Sequence, residues 1–95
     1  MKITITKAIT ELIEIPPYFK LKKHFYMIIG DNCYLRICNP GFEPDLGLFP
    51  QMKFEEIRFL RHEISSTEEK IIPISENEFK LEFIKTTLEI EKNCN

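Results

Sequence analysis

The sequence predicts a single α+β domain over residues 1–95, with a small antiparallel sheet centred on a 25–38 hairpin and a C-terminal helix packed on one face. Two runs rich in β-branched and aromatic residues flank Gly30-Asp31-Asn32, whose residue types suit a tight turn. A capping box at Ser75 precedes a long segment with helical apolar spacing. A chain of 95 residues has room for one hydrophobic core.

The composition is typical of an ordered cytoplasmic domain. Hydrophobic residues make up 43% and charged residues 29% of the chain, so we do not expect disorder. The longest uninterrupted apolar run, residues 25–29, is far too short to span a membrane. The first seven residues lack the apolar region of a signal peptide. The three cysteines cannot pair completely within one chain, and we expect free thiols in a reducing cytoplasm.

The N-terminal region predicts two short strands. Residues 2–6 alternate isoleucine and threonine, which is a strand pattern. Residues 8–15 fit both a strand and a helix. The strand is favoured because isoleucine and threonine dominate the approach and because Pro16-Pro17 prevents a helix from continuing.

The central hairpin has a predicted register. If Asp31-Asn32 is a two-residue loop, the cross-strand pairs are Ile29–Tyr34, Ile28–Leu35 and Met27–Arg36. One face then carries Tyr26, Ile28, Leu35 and Ile37, and the other carries Phe25, Met27, Ile29, Tyr34 and Arg36. The first strand is apolar on both faces, so we expect it to be central and covered on both sides.

The segment from 39 to 64 leaves two alternatives open. Residues 40–50 combine five turn-forming residues with four large apolar ones, and they indicate either a loop folded over the core or a surface that a partner covers. Residues 51–64 fit both a helix and a strand. We expect a strand over 57–64 because the sheet needs partners.

The C-terminal helix is the best-marked element. Ser75 and Glu78 have the spacing of a capping box, and Ile74 can pack against Phe79 as a hydrophobic staple. The segment before it, residues 70–74, reads as a short extended piece that Pro73 confines to an edge. Two adjacent apolar stripes follow along the helix, and we expect both to lie on the sheet. Their members are Phe79, Phe83, Thr87 and Ile90, and Leu81, Ile84 and Leu88.

Three short stretches resemble small uncharacterised proteins of gut Bacteroidetes and their phages. They are Ile-Glu-Ile-Pro-Pro-Tyr-Phe-Lys at 13–20, His-Phe-Tyr-Met-Ile at 24–28 and Ile-Ser-Glu-Asn-Glu-Phe at 74–79. The chain differs in carrying Phe19 where such proteins often have tyrosine, and Met27 where they often have lysine. The resemblance covers about half of the residues and implies a shared fold and origin. It carries no activity over to this chain.

The chain has no recognisable catalytic or metal-binding pattern. His24 and His62 are the only side chains whose ordinary pKa lies near neutrality, and no local signature joins either to Cys33 or Cys38. The sequence lacks Cys-x-x-Cys, His-x-x-x-His and an EF-hand loop, and its three glycines are scattered. We therefore expect a protein that is not an enzyme, with no catalytic residues, metal site or cofactor.

Two binding hypotheses remain. The first is a non-enzymatic protein-interaction module, such as an accessory protein of a phage or mobile element, that binds a host protein or a second copy of itself through the apolar loop. The alternative is an anion-binding module for a nucleotide or single-stranded nucleic acid, which needs cations beside exposed rings. The candidate residues are Tyr18, Phe19, Lys20, Lys22, Lys23 and His24 for the anion, with Tyr26 as a further ring, and Phe42, Leu46, Leu48 and Phe49 for the partner.

Overall fold

The computed structural model describes residues 1–6, 10–38 and 49–93. Within these ranges the chain forms seven strands and two helices. The strands are β1 (Lys2–Thr6), β2 (Thr10–Glu14), β3 (Tyr18–Leu21), β4 (His24–Ile29), β5 (Cys33–Cys38), β6 (Gln51–Glu56) and β7 (Ile72–Pro73). The helices are α1 (Ile57–Ser65), which follows β6 directly, and α2 (Glu76–Asn93).

The α+β prediction is confirmed. Five strands form one antiparallel sheet in the order β6-β5-β4-β3-β7, so the β4–β5 hairpin is central. β1 and β2 form a separate antiparallel pair, which the bond from Ile15 N to Met1 O extends at one end. The strand predicted over residues 8–15 is confirmed over Thr10–Glu14, and residues 8 and 9 lie outside the described residues. β7 is the short edge piece that Pro73 was expected to limit.

Each face of the five-stranded sheet is covered by a different layer. On the face that we call the α1 face, buried side chains of the sheet pack with α1 and with the β1–β2 pair. The sheet contributes Phe19, Leu21, Tyr26 and Tyr34 to this layer, and α1 contributes Ile57, Leu60 and Ile64. The β1–β2 pair and the residue that follows it contribute Ile3, Ile5 and Ile15. On the opposite face, the α2 face, Leu35 and Ile37 pack with Phe79 of α2. The prediction that both sides of the central strand are covered is therefore confirmed.

The predicted register of the hairpin is wrong by one residue. The loop contains three residues, because Gly30 adopts a φ of 63° and leaves the strand, so that Ile29 pairs with Cys33 and Ile28 with Tyr34. The face assignment of β5 is consequently reversed. Tyr34 and Arg36 lie on the α1 face with Tyr26 and Ile28, and Leu35 and Ile37 lie on the α2 face with Phe25, Met27 and Ile29.

The strand expected over 57–64 is also wrong, because these residues form α1. The sheet obtains its additional partner from the six residues before them, since β6 pairs with β5 along its whole length. Once that edge is supplied, Ile57, Leu60 and Ile64 follow their helical spacing and are all buried against the sheet and β1.

The predicted start of α2 is confirmed. The backbone N–H of Glu78 donates to Ser75 Oγ at 3.0 Å, and Ile74 packs in the same apolar cluster as Phe79. Only one of the two predicted apolar stripes faces the sheet, however. Phe79 is buried in that layer, whereas Leu81 is exposed.

The turn at Gly30 provides a test of the three-residue loop. Gly30→Ala should lower the free energy of unfolding by about 1–2 kcal/mol, because an L-residue is disfavoured at positive φ. No described atom lies within 4 Å of the position a Cβ would take, so crowding should add nothing. Gly30→Asn should cost less, since asparagine tolerates this conformation. Urea unfolding measures both, and an alanine variant as stable as the wild type would contradict the assigned loop.

The cap of α2 provides a second test. Ser75→Ala should lower the free energy of unfolding by about 1 kcal/mol, because the Glu78 N–H loses its acceptor. Ser75→Asp is the matched control, since it keeps a side-chain oxygen at the cap and should remain close to wild type. Equal losses in both variants would show that the cap bond is not what stabilises this end of the helix.

Candidate binding surfaces

The rings of the basic-aromatic stretch lie mainly inside the protein. Phe19 and Tyr26 pair across β3 and β4, and their rings stack with centroids 4.8 Å apart and an interplanar angle of 3°. Phe19 is 0% and Tyr26 is 1% exposed, so neither ring presents a face to a ligand. Tyr18 is half-buried on the opposite face, with its ring 5.5 Å from that of Phe79. The anion-binding hypothesis requires exposed rings on which bases can stack, and neither Phe19 nor Tyr26 provides one.

The cations of this stretch are partly engaged within the chain. Lys20 Nζ lies 5.5 Å from the centroid of the Phe25 ring, and Lys22 Nζ lies 3.2 Å from Glu63 Oε1. Lys22 and Lys23 form the two-residue β3–β4 turn, where Lys22 has a φ of 59°. Lys20 lies on the α2 face, and His24 lies on the α1 face with Tyr26. The structure therefore separates Lys20 from His24 by placing them on opposite faces of the sheet, while Lys22 and Lys23 lie in the turn beside His24.

A polar cluster that the sequence did not predict lies at the edge of the α1 face. Tyr34 pairs with Glu55 across β5 and β6, and Arg36 Nη2 lies 2.9 Å from Glu55 Oε1. The rings of Tyr26 and Tyr34 are 5.6 Å apart, and His24 lies 6.3 Å from Tyr26. Neither the Tyr26 hydroxyl nor His24 Nδ1 has a hydrogen-bond partner among the described residues. The cluster arises from the register of the hairpin, which places Tyr34 and Arg36 beside Tyr26.

Burial favours the neutral forms of Tyr26, Tyr34 and His24 in this cluster. Desolvation raises the pKa of Tyr26 well above its ordinary value, and it raises the pKa of Tyr34 to about 12 with help from the neighbouring Glu55 carboxylate. Desolvation also lowers the pKa of His24; Arg36 and Lys22 lower it further, whereas Glu63 and Glu55 oppose the shift. Tyr26 is 1% exposed, so its hydroxyl is inaccessible to a substrate.

The lowered pKa of His24 predicts a loss of stability in mild acid. The stability that neutral His24 contributes is present above its ordinary pKa of 6.5, and it is lost as the pH falls below that value, because the unfolded chain then binds more protons than the folded one. Urea unfolding between about pH 7.5 and 5.5 measures the loss. His24→Gln should flatten this dependence, whereas His62→Gln, which removes an exposed imidazole, should not. An unchanged slope in His24→Gln would contradict the assignment.

Most of the predicted apolar loop surface lies outside the described residues. Phe42, Leu46 and Leu48 fall in that part of the chain, and the partner surface expected there stays a prediction. Phe49, the remaining candidate, is exposed and leads through buried Pro50 into β6.

The outer side of α2 carries apolar residues that were expected to lie on the sheet. Phe79 and Thr86 are buried against the α2 face. On the other side of the helix, Leu81 is 70%, Ile84 55% and Leu88 59% exposed. Residues 81, 84 and 88 have the i, i+3, i+7 spacing of one helical face. The sequence marks these positions as apolar, and the geometry of the sheet shows that they are not covered by it. We call Leu81, Ile84 and Leu88 the outer face of α2.

An apolar groove adjoins this helix. It lies between α2 and the α2 face of the sheet and has a volume of about 290 Å³. Its lining consists of Tyr18, Met27, Phe79, Lys80 and Phe83. Phe83 is 39% exposed, so this part of the lining is accessible to solvent.

A second cleft, next to the turn of the central hairpin, has mixed charge. It has a volume of about 390 Å³, and Asp31, Glu56, Arg58 and Arg61 are among its lining residues. Arg58 Nε lies 3.2 Å from Glu56 Oε2. Because its two arginines are matched by two carboxylates, the cleft does not concentrate positive charge for an anion.

The described residues contain no group of three or more histidine, cysteine or acidic side chains placed to hold a metal ion. Over the same residues, neither helix combines the length and the apolar content that crossing a membrane requires. No protein-family model matches the chain, and it shows no significant similarity to a curated protein or to a solved structure. The function proposed below therefore depends on the geometry of the chain itself.

Proposed function

We propose that this chain is a small non-enzymatic protein-interaction module that acts in the cytoplasm and binds its partner through the outer face of α2. The observation that carries the proposal is the exposure of Leu81, Ile84 and Leu88, each more than half exposed, on a helix whose opposite side is packed on the sheet. An accessory role in a phage or mobile element is the setting that the sequence resemblance suggests.

Leu81, Ile84 and Leu88 are neighbours on one face of the helix. Single exposed apolar side chains are ordinary, but adjacent ones leave an apolar patch in water, and such patches mark interaction sites. Full burial of a leucine or isoleucine side chain is worth about 1.5–3 kcal/mol relative to full exposure. Three such side chains, each more than half exposed, give a partner a substantial part of the free energy that binding requires.

The surface is also suited to recognition because the helix that carries it is packed on the sheet. α2 contacts β3, β4, β5 and β6, so its outer face is held by a helix that lies across the sheet. A partner that binds here does not have to order the helix first, and the entropic cost of binding is correspondingly lower. The basic-aromatic stretch supports its alternative function less well, since Phe19 and Tyr26 are buried and Lys22 is paired with Glu63.

Site-specific photo-crosslinking in the expressing cell tests this proposal. A benzophenone amino acid at position 81, 84 or 88 should form covalent adducts with a protein. The same group at Leu12, which is 62% exposed on β2, is the matched control and should form few. Each substitution replaces an exposed apolar residue by a larger apolar one, so the fold should persist, which circular dichroism checks.

Two results would contradict the proposal. One is the absence of adducts from all three positions of the outer face of α2 in folded protein. The other is an adduct yield from position 12 equal to that from positions 81, 84 and 88, which would show that exposure alone accounts for the reaction.

A further inference from the structure

We infer that the partner of the outer face of α2 is the same face of a second copy of this chain, with the two helices antiparallel about a two-fold axis. This inference rests on the proposed function, since it names the partner of the same surface. A helix seam with spacings of three and four residues is the surface that another helix packs against. Leu81, Ile84 and Leu88 have these spacings.

The seam points directly away from the sheet. At about 100° per residue, positions 81, 84 and 88 fall within an arc of about 60°, whose centre is nearly opposite the buried Phe79 and Thr86. A second helix can therefore reach the seam without displacing the sheet. Each α2 would stay packed on its own sheet when the two copies pair.

A two-fold axis near Glu82 and Phe83 makes this seam complementary to itself. In that register Leu81 of one copy lies opposite Ile84 of the second copy, and Ile84 lies opposite Leu81, so both contacts are apolar. The antiparallel arrangement also opposes the two helix dipoles, which is electrostatically favourable. A closed two-fold pairing of this kind buries Leu81 and Ile84 of both copies at once, and it places Leu88 opposite Asn77 at each edge of the contact.

Charges beside the seam favour the same register. Glu78 and Lys85 are seven residues apart and flank the same side of the seam. With Leu81 opposite Ile84, Glu78 of each copy comes near Lys85 of the second copy, so the pair occurs twice. A shift by one heptad would instead bring the two copies of Lys85 together and place Glu91 against Leu81. Charge complementarity therefore points to one antiparallel register.

The contact is small, which sets the expected affinity. Three seam residues and their flanks provide less than the roughly 800 Å² per partner that is typical of a stable complex. We therefore expect a reversible dimer with a dissociation constant on the order of 10–100 µM. Such a dimer would be populated only at high local concentration.

Sedimentation equilibrium of the full chain, from about 5 to 500 µM, tests the inference. The wild type should pass from monomer to dimer over this range, and Leu81→Asp should remain monomeric. Glu78→Lys and Lys85→Glu should each weaken the dimer about tenfold, because two attractive pairs become repulsive. The double variant E78K/K85E restores both pairs and should return to within about threefold of wild type.

Lys92→Glu is the matched control for Lys85→Glu, because it makes the same change in charge on α2 outside the proposed contact, and it should leave the dimer unchanged. Urea unfolding confirms that each variant remains folded at the temperature used. A chain that stays monomeric at the highest concentration would overturn the inference. A dimer that persists in Leu81→Asp, or that E78K/K85E does not restore, would overturn the proposed pairing.

The crosslinking experiment separates this inference from the proposed function. Adducts with twice the mass of the chain support the second copy. Adducts only with another protein would leave the interaction module standing and overturn the second copy as its partner. Absence of adducts in folded protein would contradict both.

Discussion

The burial of both faces of the β4–β5 hairpin is the constraint on which the rest of the structure depends. Tyr26 and Tyr34 fill the layer under α1, while Leu35 and Ile37 fill the layer under α2. Because side chains alternate along a strand, one register decides which residues enter which layer. The two helices and the β1–β2 pair pack on the two faces that this register produces.

The same constraint explains two unexpected features, namely the polar cluster on the α1 face and the exposed apolar side chains of α2. Placing Tyr34 and Arg36 on the α1 face brings them beside Tyr26 and Glu55, which produces a polar cluster at the edge of an apolar layer. On the opposite face, only one side of α2 packs on the sheet. The apolar residues on its other side are therefore left in solvent, because the helix has more apolar circumference than the sheet contacts.

The candidate site could be predicted only in part. The apolar character of Leu81, Ile84 and Leu88 is visible in the sequence, but the inference that they pack on the sheet is wrong, since their exposure depends on how α2 is rotated. The aromatic residues of the basic stretch show the opposite case. Phe19 and Tyr26 alternate with cations in the sequence, yet their stacking across β3 and β4 places both rings in the core.

The sequence by itself determined the α+β class, the central hairpin, the β2 strand and the start of α2 at Ser75. These features depend on local signals, namely β-branched runs, turn residues, prolines and a cap, which act over a few neighbouring residues. Only the tertiary structure decided the hairpin register, the helix over Ile57–Ser65 and the exposed side of α2. Each of these features depends on which surface a distant segment of the chain covers. Where a segment fits a helix and a strand equally well, burial against that distant segment decides between them, and the local sequence does not contain this information.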